Sequence, residues 1–521
     1  MQGSLLAKLP EEIQKRVRLE DGQLFVSEEL RGTQEIISFV GYIKRYGVKN
    51  VVWVEPKEFD KQKRAFSSND NEYEDADVQQ YARRLFEQAY NENASDIHII
   101  DVGEYGLIRF RRLGLLKDHA QLGGNFTQRL VATIFGTMCN GRSDGDFSPL
   151  KRQDGRISER KWLPAGVHSM RVHTEPLQSA QSETGMGTYM PIRLLYDRTK
   201  AEGSLEERVN VLGYDSNNSR RFRFLTQRTG LTLISGPTGH GKSTLLKHIM
   251  EGQTISNPEK AYISLEDPVE YPMSRVQQVM VSTKTSSDPL QRGRAYMDAL
   301  AGAMRSDPDV VMIGEIRYPE AASAAIDMAL TGHGVWATIH ANNGFGIIRR
   351  MVSLLNAANY ADPLEYLCDH NVIAGLVYQR LLPLLCPHCK KSLYALRENA
   401  EELGKFIEHD VLDRIFSVTE SSQIENISLW NKDGCKHCDH LGIVGQTVAS
   451  EVIVTDQKML EFLRKGQYNE AQDYWENEVH GRTYVQHAIE HICNGLVDPT
   501  LAEARLGVPL NFSKLHDLFV D

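Results

Sequence analysis

From about residue 225, four apolar runs, LTLIS, AYISLE, DVVMIGE and GVWATIH, alternate with helical-period segments such as YMDALAGAMRS and PEAASAAIDMALTG. Short apolar runs separated by helices predict βαβ units and a parallel sheet. The upstream pattern is different. VQQYARRLFEQAYNEN sets Tyr81, Leu85 and Ala89 on one helix face. SDIHIIDV and GLIRFRRLG then alternate as the strands of a β-hairpin joined by GEYG, and further strands are expected at GRISER, SMRVHTEP and MPIRLLY. This reads as an α+β domain ending near residue 197, with DRTKAEGSLEERVN as a hinge. The first 75 residues offer a helix, TQEIISFVGYIKRYG, and a strand, VVWVEP, before the polar linker DKQKRAFSSNDNEYEDAD. A mostly helical, charge-rich tail closes the chain.

At 521 residues the chain is too long for one ordinary domain and predicts three or four. A hydrophobic fraction of 41% and a charged fraction of 25% suit globular cores. The net charge of -10 argues mildly against a dedicated nucleic-acid binder. No apolar run reaches the ~18 residues of a spanning helix. The opening MQGSLLAKLPEEIQKRVRLEDG lacks the basic and apolar regions of a signal peptide. A cytoplasmic chain, at most docked on a membrane, is therefore expected.

GPTGHGKST fits a phosphate-binding loop, directly after an apolar strand and before the helical segment STLLKHIMEG. Its residues Gly236, Pro237, Thr238, Gly239, His240, Gly241, Lys242, Ser243 and Thr244 form the expected nucleotide-binding set. Glycines let backbone N–H groups face the β-phosphate, and the helix N-terminus adds its positive dipole end. Lys242 should reach the β- and γ-phosphates of ATP, and the Ser243 hydroxyl should ligate Mg²⁺.

Ligands of open parallel sheets bind beyond the carboxyl ends of the strands. Those ends read SLEDPVE, MIGEIR and ATIHAN, which sends Glu266, Asp267, Glu315 and His340 toward the phosphates. Cleaving a phosphoanhydride needs a carboxylate to orient water and polar groups to support Mg²⁺. Glu315 is the first choice for the former. Gly314 fills the slot where a Walker-B aspartate usually sits, which moves Mg²⁺ support to Glu266. The alternative is that Glu266 and Asp267 merely cap the next segment. His333 and His340, in TGHGVWATIH, are expected to sense the γ-phosphate; the alternative is a structural role.

Cys386, Cys389, Cys435 and Cys438 stand as two C-x-H-C knuckles, the ligand set of a structural Zn²⁺. A redox role would need a CxxC at the start of a helix in a thioredoxin-like unit, and there is none. An all-cysteine site has no open position, so it holds shape and does not catalyse. Cys139, Cys368 and Cys493 read as ordinary small residues.

In order, GPTGHGKST, SLEDPVEYP, RSDPDVVMIGEIRYPE and TGHGVWATIHANN resemble the Walker A, Asp box, Walker B and His box of type II secretion and type IV pilus assembly ATPases. ASDIHI, QDGRIS and MPIRLL resemble that family's N-terminal motor subdomain, and QRLLPLLCPHCK with GCKHCDHLGIVGQT its tetracysteine region. The resemblance covers roughly residues 78 to 455. It implies an α/β fold: a RecA-like P-loop ATPase core, an α+β (PAS-like) N-terminal motor subdomain and a small zinc-binding insertion. The divisions implied are an accessory or docking segment over 1–75, the motor subdomain over 76–205, the core over 206–380, the zinc subdomain over 381–450 and a helical subdomain over 451–521.

The resemblance also implies a homohexamer at the cytoplasmic face of the inner membrane, working on a polytopic platform protein and binding no specific nucleic acid. Arginines of a neighbouring N-terminal subdomain would reach the phosphates, with Arg156, Arg171 and Arg193 the candidates by position and a surface ion pair the alternative for each. The tetracysteine region implies export or polymerisation, since retraction ATPases lack it. Leu113 before Gly114, Tyr318 in place of an aspartate and Ala301 in place of an arginine mark a divergent branch. A DNA motor would need a basic channel, but RFRR, RRFRFLTQR and IIRR are short and scattered. A non-enzymatic scaffold is at odds with Glu315 and the histidines.

Overall fold

The computed structural model describes residues 75–142, 145–180, 182, 185–197, 203–267, 269–281 and 289–511, with 13, 16–20, 23–31, 33, 36, 39–40 and 50–55 near the start. The expected helix at 33–47 and the polar linker lie mainly outside the described residues. Strands β1 (Val17–Glu20), β2 (Gln23–Ser27) and β3 (Asn50–Val54) form a small sheet over Leu24, Val26 and Ile36.

A second, antiparallel sheet contains β4 (Asp96–Asp101), β5 (Tyr105–Arg112), β6 (Leu115–Gly123), β7 (Gly141–Arg142), β8 (Gln153–Ile157), β9 (Val167–Gln178) and β10 (Met186–Tyr196). Their order is β6-β5-β4-β10-β9-β8-β7. Helices Asp75–Asn91 and Gly124–Thr133 bury Leu85, Phe86, Leu130 and Val131 against it. Tyr81 is only partly buried, at the rim of that face.

The third sheet is the parallel one expected. It contains β11 (Gly230–Ser235), β12 (Tyr262–Glu266), β13 (Gln277–Met280), β14 (Val310–Ile313), β15 (Gly334–Ile339) and β16 (Ile373–Leu385). After the short pair β17 (Lys391–Ser392) and β18 (Ser428–Leu429), β19 (Ile443–Val454) returns antiparallel to β16. The order is β13-β12-β14-β15-β11-β16-β19. Successive side chains of a strand point to opposite faces. Leu231, Val311, Ile313, Val335 and Ala337 accordingly face helices Pro289–Met304, Pro319–Leu330 and Gly346–Ala357. Ile234, Val310, Met312 and Trp336 face helices Ser216–Gln227 and Lys242–Ser256. Burial on both faces explains why these strands read as continuous apolar runs.

The hinge expected at 197–210 needs correction. Its second half is the helix Leu205–Asn210, opened by a capping box between Ser204 and Glu207. Leu205 lies over Gly252, where an added Cβ would come within 2.9 Å of the leucine, and Arg208 pairs with Glu251 at 2.9 Å in the interior. This half is anchored on the core.

The turn between β5 and β6 shows what Leu113 does. Leu113 and Gly114 both have positive φ, +50° and +83°, as a two-residue hairpin loop of mirror-image type requires. A leucine is costly there, but its side chain joins Leu441, Ile443 and Leu501 in an apolar cluster. Arg112 pairs with Asp439 at 3.0 Å, Lys117 donates to the His440 carbonyl at 3.2 Å, and Arg505 donates to the Leu113 carbonyl at 3.4 Å. The hairpin tip is thus seated on the cysteine-bearing segment of the same chain.

Candidate active site

Pairing Ser235 with Ile339, Ile313 with Ala337, and Leu265 with Ile313 brings the carboxyl ends of β11, β15, β14 and β12 to one edge. The phosphate loop leaves β11 there. Gly236, Gly239 and Gly241 have φ of +153°, +78° and +78°. At Gly236 a Cβ would meet the Gln379 carbonyl at 2.3 Å, so only glycine fits. Helix Lys242–Ser256 follows, with Ser243 and Thr244 in its first turn. The Lys242 ammonium donates to the carbonyls of Gly236 (2.8 Å) and Pro237 (3.0 Å). Burial lowers its pKa, against the pull of Glu315 and Glu270.

Glu315 follows Gly314 at the end of β14. One oxygen lies 3.1 Å from His340 Nε2, and the other accepts from Arg317 at 2.6 Å. Burial works to raise the Glu315 pKa, but the hydrogen bond and charge of Arg317, with His340 and Lys242, outweigh it and hold the carboxylate below its ordinary range. Burial and Lys242 hold His340 below its ordinary value, against the charge of Glu315. The Ser235 hydroxyl ties the loop after β15, accepting from the Ala341 N–H at 2.7 Å.

Glu266 ends β12, 7% exposed, and accepts from Ser264 (2.7 Å) and Gln278 (2.9 Å). Burial raises its pKa. Asp267 is exposed. A Cβ at Gly314 would lie 3.2 Å from the Leu265 carbonyl and 3.5 Å from Glu266, so Glu266 flanks the space an aspartate would enter. Burial, then the charges of Asp267, Glu315 and Glu266, push the Tyr296 hydroxyl pKa up. No motif signals Tyr296, yet it stands among all three acids.

The structure does not bring His333 to this edge. It precedes β15, at the amino end, and its Nδ1 lies 3.0 Å from both the Thr331 hydroxyl and the Met328 carbonyl. With Arg228, Lys260 and Asp309 it lines a cleft of about 280 Å³ on the far side of the sheet. The expectation that both histidines flank the γ-phosphate is corrected for His333.

The three arginines form a row across adjacent strands, Arg156 opposite Arg171 and Arg171 opposite Arg193. Directly opposed side chains share a face of the sheet. Arg156 donates to the Ser169 hydroxyl (3.1 Å) and to the Val269 carbonyl (3.3 Å), in the loop that follows Asp267. Arg193 pairs with Asp96 at 3.0 Å and feels Glu270. Arg171 is exposed and makes no ion pair among the described residues. Within one chain, then, the row already faces the core's own loop at 269–271.

The four cysteine sulfurs lie within 4.8 Å of one another, with Cys386–Cys435 and Cys435–Cys438 at 3.8 Å and Cys389–Cys438 at 3.9 Å. Zn–S bonds of about 2.3 Å in a tetrahedron put sulfurs about 3.8 Å apart, so the donor set fits zinc. Burial opposes the Cys438 thiolate, but N–H groups of Cys435 (3.1 Å) and Gly442 (3.2 Å) hold its pKa below the ordinary thiol range.

Glu451 on β19 supports the loop after His340 from behind, accepting from the Gly344 N–H at 2.6 Å. Burial pushes its carboxyl up to about 7. Folding favours the protonated acid, so this stabilisation is full below about pH 4.5, declines as pH rises and is gone above about 7, a swing of at most about 3 kcal/mol. Glu451→Gln should flatten the stability profile over that window and exceed the parent's melting temperature at pH 8; melts at pH 5 and pH 8 check it.

The sequence matches the family described as Type II/IV secretion system protein over residues 71–505. The type II secretion system ATPase E of Vibrio cholerae is 29% identical over 392 residues, covering 75% of this chain and 68% of that protein. The type IV pilus assembly ATPase PilB of Thermus thermophilus is 27% identical over 391 residues, 74% of this chain and 38% of that protein. Among solved structures, the Legionella pneumophila ATPase DotB aligns with a TM-score of 0.54 at 19% identity, covering 82% of this chain and 95% of that one. The last likeness concerns the fold alone.

Proposed function

This chain belongs to the Type II/IV secretion system protein family, and from that premise we propose that the edge built by Gly236–Thr244, Glu266, Glu315 and His340 is where it cleaves ATP. The chain is an ATP hydrolase of the kind that drives type II secretion or type IV pilus assembly. The observation that carries the site is the Glu315 carboxylate, held 2.6 Å from Arg317 and 3.1 Å from His340 at the edge where the phosphate loop departs.

In this reading the loop's N–H groups and Lys242 hold the phosphates, and Glu315 orients the attacking water. Ser243 and Glu266 would hold Mg²⁺, which supplies charge neutralisation on the phosphates when bound. Asp96 answers only part of the charge of the arginine row, which suits the row to meeting an anion. The row gives the upstream sheet a grip on the γ-phosphate and couples cleavage to movement between the two sheets. Cys386, Cys389, Cys435 and Cys438 would hold a structural zinc.

Arg171→Ala is expected to lower kcat about tenfold or more, in the direction known for phosphate-clamping arginines. It should not lower the melting temperature, because it relieves like charges set side by side. An unchanged kcat would remove Arg171 from the site.

We read the working assembly as a homohexamer peripheral to the inner membrane, turning a polytopic platform protein. Among the described residues no helix is long and apolar enough to cross a membrane. Steady-state ATP turnover tests the load: alone, with DNA, and with membranes carrying a platform protein. Stimulation by the platform membranes and indifference to DNA are expected. Strong stimulation by DNA would overturn the assembly-motor reading.

A further inference from the structure

Pairing between β11 and β16 stops at Ser235 and Tyr378, where the phosphate loop departs, but β16 runs on. Its next residues form a wall behind the loop. The Gln379 amide donates to the His240 carbonyl at 2.6 Å, and the Leu381 N–H donates to His240 Nδ1 at 2.9 Å. A trans peptide carries its C=O and N–H on opposite sides. Drawing the His240 carbonyl onto Gln379 therefore turns the Gly241 N–H away from β16 and into the phosphate cradle. Burial, with Arg380, brings the His240 pKa down to about 4, so its Nδ1 keeps the lone pair that accepts from Leu381.

The other end of the Gln379 amide is also taken. Its oxygen accepts from the Tyr214 hydroxyl at 2.7 Å. Both side chains are buried, at 2% and 3% exposure. Tyr214 sits between helices Leu205–Asn210 and Ser216–Gln227, on the segment that joins the upstream sheet to the core. The hydroxyl can only donate to the amide oxygen if the NH₂ faces His240, so the two bonds fix one orientation of Gln379.

We propose that Tyr214, Gln379 and His240 form a positioning relay through which the seating of the segment at 203–215 on the core sets the aim of the Gly241 N–H, and with it nucleotide affinity. The proposal rests on reading the loop as the ATP site. None of the relay side chains touches the reacting atoms; they act through the Gly241 peptide.

Three variants test it in the full chain: Tyr214→Phe, Gln379→Leu and the double. The readouts are affinity for a fluorescent ADP analogue, kcat and KM for ATP, and melting temperature. Losing the anchor of a phosphate-facing N–H costs about one hydrogen bond, so Gln379→Leu should weaken ADP binding and raise KM about tenfold, with kcat within about twofold. Tyr214→Phe should weaken both by about threefold to fivefold. The double variant should be no weaker than Gln379→Leu alone, since both changes act through one amide.

Parental ADP affinity and KM in Tyr214→Phe, whatever its melting temperature, would overturn the relay. Additive losses in the double variant would overturn it too. If Gln379→Leu does not fold, Tyr214→Phe decides by itself. Failure of the unsubstituted chain to bind the ADP analogue is a separate outcome: it would overturn the loop as the ATP site.

Discussion

Replacing Glu315 with Gln is expected to lower steady-state ATP turnover by about 10²-fold or more and to leave ADP affinity within about twofold of the parent. The amide matches the carboxylate in shape, and the hydrogen bonds that hold Lys242 run to the Gly236 and Pro237 carbonyls, not to Glu315. The charge is what goes. In the parent, one oxygen of Glu315 faces His340 at 3.1 Å and the other faces Arg317 at 2.6 Å. A neutral amide offers one acceptor to these two donors and turns an N–H toward the other. It also loses the negative charge that polarises water beside Lys242. The pH dependence follows from the same contacts. Arg317 holds Glu315 below the ordinary carboxylate range, and burial with Lys242 holds His340 below 6.5. Glu315 is thus ionised and His340 neutral at neutral pH, so neither should place an inflection in kcat at or above pH 6.5. An inflection near 7 that vanishes in His340→Ala would contradict this assignment. Unchanged turnover in Glu315→Gln would remove Glu315 from the mechanism.

The strands that carry this site were legible because they are buried on both faces and read as uninterrupted apolar runs. The phosphate loop was legible because its glycines, lysine and flanking elements occur in one fixed order. Elements without such signals were not. Strand β6, LLKDHAQLG, lies at a sheet edge and is mostly half-exposed, so its apolar positions follow no clear alternation. The register that aligns Arg156, Arg171 and Arg193 depends on the pairing of three strands, which spacing along one chain does not contain. His333 shows the reverse failure. A strand rises about 3.3 Å per residue, so two histidines seven positions apart, one at each end of β15, stand about 23 Å apart, at opposite edges of the sheet. A motif read as a unit hides that distance. Tyr214 and Gln379, 165 positions apart, belong to no motif and meet only because β16 outruns β11.

Removing zinc from the tetracysteine cluster is expected to have the largest structural effect of any single change. Metal analysis should find about one Zn²⁺ per chain, and Cys438→Ser should abolish it. Structural zinc sites contribute about 10–16 kcal/mol, as much as the whole stability of a typical domain, so the 386–443 segment should unfold without the metal. The consequence reaches beyond that segment. Asp439, His440, Leu441 and Ile443 form the seat on which the β5–β6 turn rests, through the Arg112 ion pair, the Lys117 hydrogen bond and the side chain of Leu113. Losing the seat frees the tip of the sheet that carries the arginine row. Hydrogen exchange at residues 105–123 should therefore accelerate together with that of 386–443, while β11 to β15 stay protected. Turnover should fall as well, because the arginines lose their register against the nucleotide edge, although no cysteine lies in it. A chain prepared without chelators that carries no zinc would refute the metal assignment. Faster exchange confined to 386–443 would refute the seat: the hairpin would then be held by contacts on its own sheet, and the cysteines would stabilise only themselves.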